Sequence, residues 1–198
     1  MKFNRQTTIA FVLILLLASF YRAWDGRPFG FAPQMAIALF AGAVIKDKKW
    51  AIILPLLSML VSDLLYQFLY IRGLTPIQGF YSGQWINYLL IAGLACFGML
   101  MRRITALNVL GFSMGGSAIY FLLSNFTVWL GGGGFARPKT FDGLILCYTD
   151  ALAFYRDYGV FKGFIGNAFV GDLFFAGLLF GTFYIATQMV LRPAVSKA

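Results

Sequence analysis

From Gly73 to Met101, and again from Ile104 to Ala136, the chain carries no Asp, Glu, Lys or Arg. A soluble domain is about 25% charged and about 45–50% apolar. This chain of 198 residues is 12% charged and 60% hydrophobic. That apolar excess is more than a soluble core absorbs. Long uncharged runs broken by short basic clusters are the pattern of a polytopic helical membrane protein. A membrane β-barrel would show alternating segments of about ten residues, and these runs do not alternate.

A net charge of +9 could point to nucleic acid. The positions of the charges argue against it. Lys46, Lys48 and Lys49 close one apolar run, and Arg102 and Arg103 close another. Such residues orient helices and meet anionic head groups. The chain has no His and no Glu. Cys96 and Cys147 are far apart and lack metal-ligand spacing, so no metal site or cofactor is expected.

The pattern predicts six membrane spans, at about 8–21, 29–45, 50–71, 85–101, 107–130 and 164–191, in a single all-α domain. The first has a basic start and a short apolar core, like a signal peptide, but no small-x-small cleavage site follows. Tyr21, Arg22 and Trp24 look like the interfacial end of a retained helix, with a cleaved signal as the alternative. The second is short and rich in small residues. The third holds Pro55 and Asp63. The fifth carries Gly111 and Gly115, spaced for close packing. Between the fifth and sixth, Phe141 to about Tyr155 reads as an amphipathic interfacial helix.

Placing the N-terminus inside puts Lys2, Arg5, Lys46, Lys48, Lys49, Arg102, Arg103, Arg192 and Lys197 on the cytoplasmic side. Arg22, Arg27 and Arg72 fall in short outer segments. Arg137, Lys139, Arg156 and Lys162 fall in the one long connection, where the positive-inside rule weakens. Nine against three over short segments places both termini in the cytoplasm.

Asp63 and Asp172 are the acidic residues inside predicted spans. An aspartate at a helix centre costs about 2.5–3.5 kcal/mol on insertion scales and is by default a functional candidate. Asp63 shares a helix face with Tyr66 and Tyr70. The competing reading is that each Asp pairs with a hydroxyl, an Arg or backbone and only locks the bundle. Asn125 and Trp129, four apart, share a face of the fifth helix, and the amide needs partners in hydrocarbon. Gly131–Gly134 then break the helix at about 1 kcal/mol each relative to Ala. They suggest a joint for a lid, in which Tyr148, Phe154, Tyr155 and Tyr158 cover a cavity floored by Asn125 and Trp129. The bland alternative is a loose loop. With no His, no Glu and no nucleophile–base pair, an enzyme is not expected. There is no phosphate-binding loop, so the chain does not use ATP itself.

The ordered segments "FAPQMAIALFAGAVIKDKKWAIILPLLSMLVSDLL", "FLLSNFTVWL" and "DGLILCYTDALAFYRD" resemble an uncharacterised family of bacterial integral membrane proteins described as transport proteins. More distantly, the architecture is similar to the S components of energy-coupling-factor transporters. That resemblance implies a six-helix bundle in the bacterial inner membrane, with an outward-facing pocket for a vitamin or a metal ion. It also implies energy from a transmembrane coupling protein with two ATPases. Such proteins dock their partner through an early small-residue helix, which here implies Ala32, Ala36, Ala38 and Gly42. No vitamin-specific signature is present. The resulting expectation is a protein that binds a small, micronutrient-like solute through Asp63, Tyr66, Asn125, Trp129, Tyr148 and Asp172. The rival is a structural or assembly protein without transport activity.

Overall fold

The computed structural model describes residues 5–28, 30–157 and 167–191, with side chains from 13 to 28, 30 to 152 and 168 to 187. Those residues form seven helices and no strand: α1 (Arg5–Ala23), α2 (Gln34–Val44), α3 (Lys48–Ile71), α4 (Trp85–Gly98), α5 (Ala106–Gly131), α6 (Phe141–Asp157) and α7 (Asn167–Leu191). The predicted start of the last span at 164 lies outside the described residues, as do Tyr158 and the side chains of Phe154 and Tyr155.

Local chemistry fixes several boundaries. Asp47 caps α3 by accepting from the Lys49 and Trp50 amides at 2.9 and 3.4 Å. Thr105 caps α5 through the Asn108 amide. Gly132, at φ 75°, ends α5 in the left-handed conformation that glycine adopts without strain. Pro55 sits inside α3 and is fully buried. It removes one rung of the helical ladder there.

Among the described residues, three helices are long and apolar enough to cross a membrane: Lys48–Ile71, Ala106–Gly131 and Ala168–Thr187. They turn large apolar side chains outward, including Leu64, Leu122 and Leu178. α2 and α4 are shorter apolar helices. At 11 residues, α2 is about 16 Å long, half of a hydrocarbon core of about 30 Å. The expected extension of this helix back to residue 29 does not occur: the helix begins after Pro33.

α2 is the hub of the molecule. It packs against α3, α4, α5 and α7, while α1 lies on α3 and α6 lies on α5. Nine of its residues are buried. The small residues expected to dock a partner therefore make contacts within the chain. Ala36 packs among Leu39, Phe40 and Ala176, and Ala38 among Met59, Ile91 and Ala95. A Cβ on Gly42 would overlap the Ala95 carbonyl oxygen, and one on Gly98 would overlap that of Leu39. The α2–α4 crossing is therefore a reciprocal pair of glycine contacts. Ala32 is half-buried before the helix. The other glycine expectation also shifts. Gly111 faces open space, and Gly115 meets only the Phe97 ring at ordinary contact distance.

Candidate functional site

α1 and α3 meet through small polar side chains at helical spacing. Ser19, three residues before Arg22, donates to the Ser58 carbonyl at 2.9 Å. Ser58, Ser62 and Asp63 lie on the facing stripe of α3 and are all buried. This register delivers the Arg22 guanidinium to the Asp63 carboxylate, where they form a salt bridge. Arg22 Nη1 also donates to Ser62 Oγ at 2.5 Å.

Asp63 is 1% exposed, and both of its oxygens are satisfied. Oδ1 accepts from Arg22. Oδ2 accepts from Gln84 Nε2 and from the Tyr88 hydroxyl, each at 2.6 Å. Gln84 also donates to the Gly79 carbonyl, and Gln67 Oε1 accepts from the Gly79 and Phe80 amides. These bonds tie the α3–α4 connection down onto α3. Tyr66 donates to the Arg22 carbonyl at 2.5 Å and accepts from Arg27 Nη2 at 3.1 Å. Its ring also lies under the Arg22 guanidinium at 5.6 Å. Asp63 and Tyr66 are thus brought together as expected, but as supports for Arg22. In the adjoining connection, burial pushes the Tyr81 phenol above its ordinary pKa, against the lowering effect of the Arg22 charge.

Beside this cluster lies a cavity of about 210 Å³. Arg22, Gln34, Asn87 and Tyr120 provide its polar lining, and Met35, Met59 and Ile91 its apolar floor. Asn87 accepts from Tyr120 and donates to Tyr81. Gln34 is different. It is 7% exposed, and neither its amide nitrogen nor its oxygen finds a hydrogen-bond partner. A buried unpaired amide costs roughly 1–3 kcal/mol. Gln34 opens α2, whose first turn carries no side-chain cap. The positive end of the helix dipole therefore lies beside the same space.

The other expected residues lie elsewhere. Asn125 donates to the Phe121 carbonyl of its own helix at 2.8 Å. Trp129 Nε1 donates to the Pro138 carbonyl, with Lys139 Nζ 5.1 Å from the indole. The Tyr148 hydroxyl donates to the Leu122 carbonyl at 3.1 Å. The Trp129 and Tyr148 bonds fasten α6 and its leading segment to α5, whereas the Asn125 side chain bonds only within α5. A bidentate Arg137–Asp150 pair at 2.8 and 3.0 Å reinforces the clamp. No described residue of α6 lines this cavity, and the described part of α6 lies along α5; of the expected lid side chains only Tyr148 is among the described ones. Asp172 is buried deeper, with Oδ2 accepting from Ser117 Oγ at 2.5 Å. Among the described residues no cluster of His, Cys, Asp or Glu could hold a metal ion.

Sequence reasoning missed Gln34, Gln84 and Tyr88, and it placed Arg22 as an interfacial charge. The available signal was the Ser19–Arg22 spacing matched to Ser58–Ser62–Asp63. Comparison with curated proteins and with solved structures finds no match. Over residues 1–195 the chain matches a family of unknown function, DUF6580, and it belongs to that family.

Proposed function

We propose that this chain is a small-solute-binding membrane protein whose site is the cavity at the α2 N-terminus. The observation that carries the reading is Gln34, a buried amide with no partner, in the wall of a space that also receives Arg22, Asn87 and Tyr120. A solute that supplied one acceptor and one donor would satisfy the amide. The Arg22 charge is already met by Asp63, so the site offers hydrogen bonds and the partial positive charge of a helix end. That combination favours a small polar solute with a carboxylate or amide group and an apolar body to rest on Met35, Met59 and Ile91. Asp63 acts as a positioning residue that holds Arg22 at the rim.

In this reading α1–α5 and α7 are six membrane helices, α6 lies at the interface, and both termini are cytoplasmic in a bacterial inner membrane. The cavity then opens outward, as for the substrate-specific component of a transporter. A coupling partner with ATPases would have to dock on a surface other than the buried face of α2. The rival reading, a structural or assembly protein, draws on Asp63, whose oxygens are all satisfied within the chain.

Native mass spectrometry of the gently extracted protein, with release of any bound molecule, decides between them. A stoichiometric small solute that is lost in Gln34→Ala, in protein that still folds, supports binding. A clean apo mass in both proteins supports the structural role.

A further inference from the structure

We infer that Asp172 binds a small monovalent cation, a proton or a sodium ion, midway along a line of cavities that runs through the helix bundle. Three spaces follow one another along α5 and α7. The first is the solute cavity, bordered by Tyr120 and Ala168. The second, of about 10 Å³, is bordered by Ser117 and Asp172. The third, an apolar groove of about 480 Å³ at the other end, is bordered by Thr105 and Tyr184. Met35 lines the first and the second, and Ser113 lines the second and the third. From Tyr120 to Thr105 the helix rises about 22 Å, so the line covers most of a hydrocarbon core.

The middle space has the chemistry of a cation site. Asp172 is 3% exposed and Ser113 is 4% exposed. Asp172 Oδ1 and Ser113 Oγ both lack a hydrogen-bond partner, while Ser117 meets only Oδ2. α2, α4 and α5 present no titratable or charged side chain to this space, and no described residue of α6 lines it. A buried carboxylate without a positive partner is neutralised by a proton or binds a cation. The volume suits one bare ion or one water. A cation passing here moves between the solute cavity and the opposite groove, and Met35 is the side chain both events would shift. That would give the chain an energy source of its own. The site can fill without solute, so it stands or falls separately from the solute reading.

The test uses the purified full chain in detergent. Thermal unfolding is followed against NaCl, with choline chloride holding ionic strength constant. Infrared spectra of the carboxyl stretch are recorded against pH. A sodium site gives sodium-specific stabilisation, in which the folded-to-unfolded ratio rises about a hundredfold at a hundred times Kd, and Asp172→Asn abolishes it. A proton site gives no sodium effect but a carboxyl band that titrates reversibly and disappears in Asp172→Asn. If neither occurs, Asp172 is only a bolt to Ser117 and the inference is overturned. Should Asp172→Asn fail to fold, Ser113→Ala decides. Weakened sodium stabilisation or a displaced titration supports the site. An unchanged response places the cation elsewhere and refutes it.

Discussion

Gly42→Ala sets two physical effects against each other, and the structure fixes the sign. In a helix interior, Ala is favoured over Gly by about 0.8–1 kcal/mol. Propensity alone therefore predicts a more stable protein. At Gly42, however, the new methyl would overlap the Ala95 carbonyl oxygen and lie 3.0 Å from both the Ala95 carbonyl carbon and the Met99 amide nitrogen. These are backbone atoms and cannot rotate aside. The Ala95 oxygen is the closest of the three, and clearing it requires α2 and α4 to part by about 1 Å or more. Parting them also loosens the Gly98–Leu39 contact in the same crossing. On its far side α2 is backed by Ala176 and Phe180, so it cannot retreat freely. Overpacking of this kind costs about 1–3 kcal/mol, leaving a net loss of up to about 2 kcal/mol after the propensity gain. For a chain of this size each kcal/mol moves the melting midpoint by about 2–4 °C. The assay is thermal unfolding in detergent beside a control, Gly93→Ala, where the added methyl meets nothing within 4 Å. Gly93→Ala should hold or raise the midpoint, and Gly42→Ala should lower it by several degrees. A Gly42→Ala midpoint equal to or above that of the Gly93→Ala control would refute the close crossing.

Arg22→Ala strands the Asp63 carboxylate, whose side chain is 2% exposed, and should destabilise by roughly 3–5 kcal/mol; adding Asp63→Asn should recover much of that loss, as read by unfolding midpoints. The hydrogen bond from Arg137 holds the Asp150 carboxyl below its ordinary pKa. Its contribution to the α6 clamp is therefore complete above the ordinary aspartate range, about 3.9, and is lost as pH falls through the lower folded value. Hydrogen exchange at α6 should rise in that acid window, and Asp150→Asn should remove the pH dependence. Cys96 is exposed on the apolar α4. If that surface faces lipid, membrane-impermeant maleimide added to intact cells or to inverted vesicles should leave Cys96 unlabelled while a lipid-soluble maleimide reacts. Rapid labelling by the impermeant reagent would show α4 facing water.

Helices were legible in the sequence because uncharged length and flanking basic residues are local signals. Each predicted apolar run has a counterpart helix, and the amphipathic segment at Phe141 became α6. Asp63 was legible as an anomaly because a carboxylate in an apolar run needs a partner. Its actual partners were not, since they lie 21, 25 and 41 residues away in the chain and only the fold brings them together. Asn125 and Trp129 misled because a polar amide and an indole on one face look the same whether they receive a solute, bond back to their own helix as Asn125 does, or hold the next segment as Trp129 does. Gln34 carried no signal at all. Its interest is that nothing bonds to it, and an absence of partners cannot be read from spacing. The small residues of α2 showed that backbones approach closely, but not whether the approaching helix belongs to this chain or to another.

The brevity of α2 bears on how the protein is made. If the chain is inserted into a membrane as proposed, a segment of about 16 Å with a polar amide at its head is a poor candidate to leave the insertion machinery alone. Its glycine partner, Gly98, is synthesised 56 residues after Gly42, so the pair can close only once α3 and α4 have emerged. Until then α2 must wait beside α1 and α3 with its small-residue face uncovered. Nascent chains arrested before Gly98 should therefore remain open to proteolysis at α2, and chains released just beyond it should become protected in a single step.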